Sequence, residues 1–129
     1  MNNPSHPSRR GQSLVEWALI LPALLLVLMV ILDIGRLVYT YSALYNAVRE
    51  GARYGTIHPT DTTGIRNTVR SMAVGLDTSS ITVTPSQPTA RSVRVLATYP
   101  FTIITPFAST FLGSNPKTIT TQTTMRTEQ

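Results

Sequence analysis

The chain has 129 residues, no cysteine and a formal net charge of +5. This length allows one small domain beside one membrane segment, and the absence of cysteine excludes disulfides, thiolate metal sites and cysteine nucleophiles. The basic residues are scattered rather than gathered into a stripe interleaved with aromatics, so we expect no nucleic-acid partner.

The chain begins with a polar leader that precedes a long apolar segment. Residues 1–10 contain two prolines and end in Arg9 and Arg10, and we expect them to be disordered. Residues 14–34 are almost wholly apolar and long enough to span a membrane. Because arginines precede the span, we expect a single-pass protein of the cytoplasmic (inner) membrane with its N-terminus in the cytoplasm.

A secretory signal peptide would share the basic start and the apolar segment. It would also need small residues at a cleavage site directly after that segment. The sequence DIGR follows instead, at residues 33–36. We therefore favour a span that stays attached to the C-terminal part of the chain.

The helical pattern continues beyond the span. Gly55 and the following His58-Pro59 predict where it ends, so we expect one helix over residues 12–55. Gly35 and Gly51 are unfavourable in a helix interior and predict bends or close contacts. Apolar residues at spacings of three and four predict a single stripe, made of Ile34, Leu37, Val38, Tyr41, Leu44, Tyr45, Val48 and Ala52.

Residues 56–129 predict a small extracytoplasmic α+β domain. Asp61 or Thr62 is expected to cap a short helix that closes at Gly75. Residues 101–116 are apolar at first and contain a proline, and no pattern assigns them. Alternating apolar residues predict three strands, at residues 81–85, 93–99 and 117–127.

The predicted fold class is therefore α+β. A long N-terminal transmembrane helix is followed by a small domain with one short helix and about three antiparallel strands. We expect the strands to face the second half of the long helix, because this arrangement buries both apolar faces.

Glu16 is the sharpest candidate for a functional residue. A carboxylate near a membrane span is costly, by roughly 2.5–3.5 kcal/mol at the bilayer centre and less near the interface, so it suggests function. It stands five residues after Gly11, which itself follows Arg9 and Arg10. The alternative is a carboxylate that snorkels to the interface in an unprocessed anchor.

Basic residues, Gly11, Glu16 five positions later and an apolar helix form the pattern of type IV prepilin-like substrates. Within that class, residues 11–55 resemble the TadE-like minor pseudopilins of tight-adherence (Tad/Flp) pili. The resemblance rests on three stretches, GQSLVEWALILP at 11–22, DIGR at 33–36 and NAVREGARYG at 46–55.

The resemblance implies a pilin-like helix that a prepilin peptidase cuts between Gly11 and Gln12. The arginines Arg9 and Arg10 would hold this junction at the cytoplasmic face. The new α-amino group would then pair with Glu16 of a neighbouring subunit in the fibre. Gln12 departs from the Phe, Met or Leu frequent at this position in type IV pilins, and it admits pyroglutamate formation. The implied partners are the peptidase, other pseudopilins or pilins, the pilus assembly platform and the membrane.

A second candidate site is the segment REGAR at residues 49–53. Its functional interpretation is a partner-docking surface formed by Arg49, Glu50 and Arg53, and its alternative is a solvated helical face. We expect no enzyme and no cofactor, because the sequence has no nucleophile–base arrangement, phosphate loop or metal-spaced cluster.

The resemblance thus implies a minor pseudopilin that acts in Tad/Flp pilus assembly, and so in adherence and surface colonisation. The first alternative is an unprocessed, membrane-anchored extracytoplasmic binding module. The second is a major structural subunit or a pseudopilin of a secretion system.

Overall fold

The structure, a computed structural model, describes residues 9–106, 110, 113 and 115–128. Its longest element is the helix α1, Arg9–Ile57, whose 49 residues extend over roughly 73 Å. The helix is continuous through Pro22. By length and composition α1 can cross a membrane.

Both ends of α1 lie outside the expected range of 12–55. The helix begins at Arg9, so Arg9 and Arg10 are helical and not disordered as expected, while the expected disorder of residues 1–8 lies outside the described residues. At the other end α1 continues past Gly55, which is therefore not its C′ residue. A Cβ at Gly55 would lie 2.8 Å from Cγ1 of Val93, so this glycine allows close packing.

The second helix, α2, covers Thr62–Met72. Asp61 is its N-cap, as expected, and its side chain accepts a hydrogen bond from the backbone N–H of Gly64. The helix ends three residues before Gly75, which has a φ of 77° and lies in the turn that follows. A short 3-10 helix at Thr78–Ser80 leads into the sheet.

The sheet is antiparallel in the order β1-β2-β3, formed by Thr82–Thr89, Ser92–Phe101 and Lys117–Arg126. Strand β1 continues through Pro85, where the sequence predicts its end. A proline is tolerated there because β1 is an edge strand, with one side free of ladder hydrogen bonds. The predicted α+β class, with one long helix, one short helix and three antiparallel strands, is confirmed.

The core lies between the second half of α1, the helix α2 and one face of the sheet. In β2 the inward residues alternate with more exposed ones, which is the pattern of a half-buried strand. The fully buried side chains are small or branched, and they include Leu44, Ala47, Val48, Ala52, Ile65, Val69, Val93 and Val95.

Three of the eight residues in the predicted apolar stripe of α1 are buried. Leu44, Val48 and Ala52 pack in the core. The other five are exposed, and one of them directly follows Leu44, namely Ile34, Leu37, Val38, Tyr41 and Tyr45. The hydrophobic core therefore contacts α1 from Leu44 onward, and it covers a narrower face than the predicted stripe.

Of the two glycines expected to mark bends or close contacts, Gly51 makes a close contact. A Cβ at Gly51 would collide with Cγ2 of Val69 and lie 3.4 Å from the carbonyl oxygen of Ile65. A Cβ at Gly35 would meet no atom within 4 Å. Gly51 therefore sets the spacing between α1 and α2, whereas Gly35 does not contact the domain.

We predict that Gly51→Ala destabilises the domain by about 1–3 kcal/mol, because fully buried Val69 is stiff and has no space to move into. Gly35→Ala is the matched control, and its higher helix propensity should leave stability unchanged or raise it by up to about 1 kcal/mol. Urea midpoints of the full chain in nanodiscs, measured by pulse proteolysis, compare the two variants. Equal midpoints would contradict the packing role of Gly51.

Candidate functional site

The predicted processing junction lies in the first turns of α1. Gly11, Gln12 and Glu16 are exposed, and they line a shallow groove with Val15 and Leu19. Gln12 and Glu16 stand one helical turn apart on the same face. Gly11 is unobstructed, because a Cβ there would meet no atom within 4 Å.

Glu16 has no hydrogen-bond or ion-pair partner within the described part of the chain. The apolar residues around it, Leu14, Val15 and Trp17, are all exposed. Arg9 and Arg10 belong to the same helix. The junction is thus accessible, and the carboxylate is available to a partner outside this chain.

The predicted docking residues are brought together on one surface. Arg49, Glu50 and Arg53 are exposed and line a concavity of about 380 Å³ with Asn46 of α1 and Met125 of β3. Among the described residues none of the three forms an ion pair. Two positive charges and one negative charge therefore face outward beside an apolar methionine.

A site that the sequence indicated only in part lies at Asp33. Asp33 forms an ion pair with Arg36, three residues further along α1, with a nitrogen–oxygen distance of 3.1 Å. Asp33 is also 8% exposed and accepts hydrogen bonds from a loop 71 residues away. The backbone N–H of Ile104 donates to both carboxylate oxygens at 3.1 and 3.0 Å, and Thr105 donates through its N–H at 2.8 Å and its hydroxyl at 2.7 Å.

Arg36 adds further contacts between α1 and the loop that contains Ile104 and Thr105. Its guanidinium donates to the carbonyl oxygen of Thr102 at 3.4 Å and lies 5.3 Å from the centre of the Phe101 ring. We call Asp33, Arg36 and the loop 102–106 the clasp. In the sequence around residue 33, the only sign of the clasp is a carboxylate at the end of an apolar span. The loop residues that donate hydrogen bonds to it are about 70 positions away.

The residues that follow α1 form the cap of the next helix, where Asp61 is the N-cap of α2. The carboxylate of Asp61 accepts hydrogen bonds from the N–H of Gly64 and the hydroxyl of Tyr54, both at 2.8 Å. These bonds, that of Gly64 first, hold the pKa of Asp61 below its usual value of 3.8. The same carboxylate raises the pKa of Tyr54. Within the described residues no group of three or more His, Cys, Asp or Glu side chains could hold a metal ion.

These observations define a class of protein in which a helix long and apolar enough to span a membrane carries a small α+β domain. The model of the TadE-like protein family matches residues 11–53, about one third of the chain. The resemblance seen in the sequence is thereby confirmed for this stretch, and it implies a membrane protein associated with the Tad pilus. No curated protein and no solved structure matches the chain.

We predict that Asp33→Ala releases the loop from α1, because two backbone N–H groups lose their acceptor and each costs about 1–3 kcal/mol if it stays buried. Hydrogen exchange at Ile104 and Thr105 should become faster, while exchange in the strands changes less. Glu50→Gln, which alters an exposed carboxylate on the same helix, serves as the control. Unchanged protection of the two loop amides in Asp33→Ala would contradict the clasp.

Proposed function

We propose that this chain is a minor pseudopilin that a prepilin peptidase cleaves between Gly11 and Gln12, and that it acts in Tad/Flp pilus assembly and thereby in adherence. The observation that carries the proposal is the arrangement at the start of α1. Glu16 is exposed without a described partner five residues after Gly11, where the family match also begins. Residues 1–11 are then the leader.

The residues around the cut support this reaction chemically. Hydrolysis of the Gly11–Gln12 peptide bond consumes one water and leaves a carboxylate on Gly11 and an α-amino group on Gln12. Because the junction is helical, the first turn must unwind before a protease can bind it in an extended form. Gly11 favours this step, since glycine is a poor helix former and has no side chain to obstruct the protease.

Cleavage also changes the electrostatics of the helix start. It removes Arg9 and Arg10, which hold the N-terminus at the cytoplasmic face. The new α-amino group is cationic near neutral pH and can pair with Glu16 of an adjacent subunit. In the apolar interior of a fibre such a pair would offset the cost of burying the carboxylate and fix the axial register.

The topology we propose follows from the same helix. Residues 14–34 cross the inner membrane and the N-terminus stays in the cytoplasm. The domain over 56–129 lies on the extracytoplasmic side of the membrane. The subunit would prime, cap or join the fibre rather than form its bulk. Docking to other pseudopilins or pilins would use Arg49, Glu50 and Arg53, which share one concave surface.

The test of processing is the N-terminal residue of the protein purified from its native host, by intact mass and terminal sequencing. We expect a chain that starts at Gln12, free or cyclised, and nearly complete retention of the leader in Gly11→Val, because a branched side chain obstructs the cut site. Glu50→Gln should be cut like the wild type. A wild-type chain that keeps residues 1–11 in a peptidase-competent host would overturn the proposal in favour of an anchored binding module.

The test of docking is a double charge reversal, Arg49→Glu with Arg53→Glu. We expect about tenfold less co-purification with the other pilus subunits, because charge complementarity across the interface is lost. Arg66→Glu with Arg70→Glu, on the exposed face of α2, is the matched control. Equal losses in both double variants would argue against a specific surface on α1.

A further inference from the structure

The loop 102–106 carries an exposed apolar side chain next to the membrane segment. Ile104 is 60% exposed although its backbone N–H is bonded to the buried carboxylate of Asp33. Its position along α1 is therefore fixed by Asp33. The adjacent part of α1 is also apolar and exposed, including Leu32 and Ile34.

The height of this loop relative to a bilayer follows from the length of the helix. Residues 14–34 rise roughly 30 Å, which is the thickness of the hydrocarbon core. Asp33 then lies at the outer boundary of that core, and Ile104 lies beside it. Arg36, one turn further out and with a side chain 47% exposed, lies at the level of the lipid headgroups.

The backbone of the loop suits such a location. Polar backbone groups are costly in an apolar medium unless they have hydrogen-bond partners. The N–H groups of Ile104 and Thr105 donate to Asp33, and that of Ile103 donates to the side-chain oxygen of Asn115 at 3.1 Å. Asn115 also donates to the carbonyl oxygen of Ile103 at 3.0 Å. Three consecutive N–H groups are thus satisfied within the protein.

We propose that the loop 102–106 is a second membrane contact, which inserts Ile104 into the boundary between the headgroups and acyl chains of the bilayer that α1 crosses. The partner is the lipid itself, because the loop continues the apolar surface of the span. Arg36 faces the lipid phosphates beside it. The inference rests on the proposed membrane span of α1.

This contact has a consequence for the domain. A single helix leaves the domain free to tilt relative to the membrane plane. A second contact held to the helix by the clasp restricts that tilt, and it holds the concave surface around Arg49 and Arg53 at one angle to the membrane plane. The loop therefore orients the domain before it leaves the bilayer.

Depth-dependent fluorescence quenching tests the proposal in the full chain. Trp17 is the only tryptophan, so Trp17→Phe provides a background for single reporters. Ile104→Trp is the test, and Ile57→Trp is the control, since Ile57 is also 60% exposed but lies roughly 36 Å further along α1 from Asp33. The protein is placed in phosphatidylcholine vesicles brominated near the headgroup end of the acyl chains.

We expect Ile104→Trp to lose most of its fluorescence and Ile57→Trp to keep it. Quenching of Trp17 in the wild type but not of Ile104→Trp would overturn the loop contact and leave the span intact. The absence of quenching at all three positions would instead refute the span on which the proposed function also depends.

A second measurement tests the same contact with a different side chain at residue 104, in case the tryptophan changes the conformation of the loop. Because the chain has no cysteine, Ile104→Cys takes a single nitroxide label. A label in lipid collides more often with oxygen than with a water-soluble nickel chelate, and the label at Ile57→Cys should show the reverse. A label at residue 104 that is shielded from both reagents would indicate a protein neighbour and overturn the assignment to lipid.

Discussion

The carboxylate of Asp33 lies where the surroundings of α1 change. On its N-terminal side α1 is exposed and apolar, as suits lipid. On its C-terminal side the same helix buries Leu44, Val48 and Ala52 against α2 and the sheet. Local sequence does not hold the loop to the helix at this point, because its donors lie about 70 positions later. Without that acceptor, the loop would keep two N–H groups without a partner at the edge of an apolar medium.

One continuous helix, α1, connects the apolar segment to the domain. A backbone that crosses lipid must satisfy its hydrogen bonds internally, and α1 is helical from Arg9 to Ile57. Pro22 is the one residue within the helix that has no N–H to donate. The domain is packed onto the last turns of that rod, where Gly51 and Gly55 allow α2 and β2 to approach closely. A displacement of the helix along its axis therefore moves the domain with it. The incorporation into a fibre that we propose would use this rigid connection.

The sequence predicted most of the fold because the strongest signals are periodic. The apolar span, the spacings of three and four in α1 and the alternation in the strands are local, and each predicted helix and strand is present, although α1 and β1 extend beyond their predicted ends. The errors occur where a distant contact decides the outcome. Gly55 looked like a helix end, but it is a packing position opposite Val93, and Pro85 looked like a strand end because only the sheet order shows that β1 is an edge. For the site, the resemblance singled out the segment that holds Arg49, Glu50 and Arg53, whereas nothing in the sequence indicated Met125 or the loop partners of Asp33.

The three carboxylates of α1 differ in whether they have hydrogen-bond partners among the described residues. Asp33 accepts hydrogen bonds from Arg36, Ile104 and Thr105, so it has little capacity left for an external ligand. Glu16 and Glu50 are exposed and have no partner among the described residues. A satisfied carboxylate stabilises the fold, while one without a partner in an apolar or crowded setting gains most when a second molecule brings a cation. On this reasoning the interactions that we propose would be concentrated at the two ends of the helix, around Glu16 and Glu50, while Asp33 holds the loop 102–106 to the part of the helix between them.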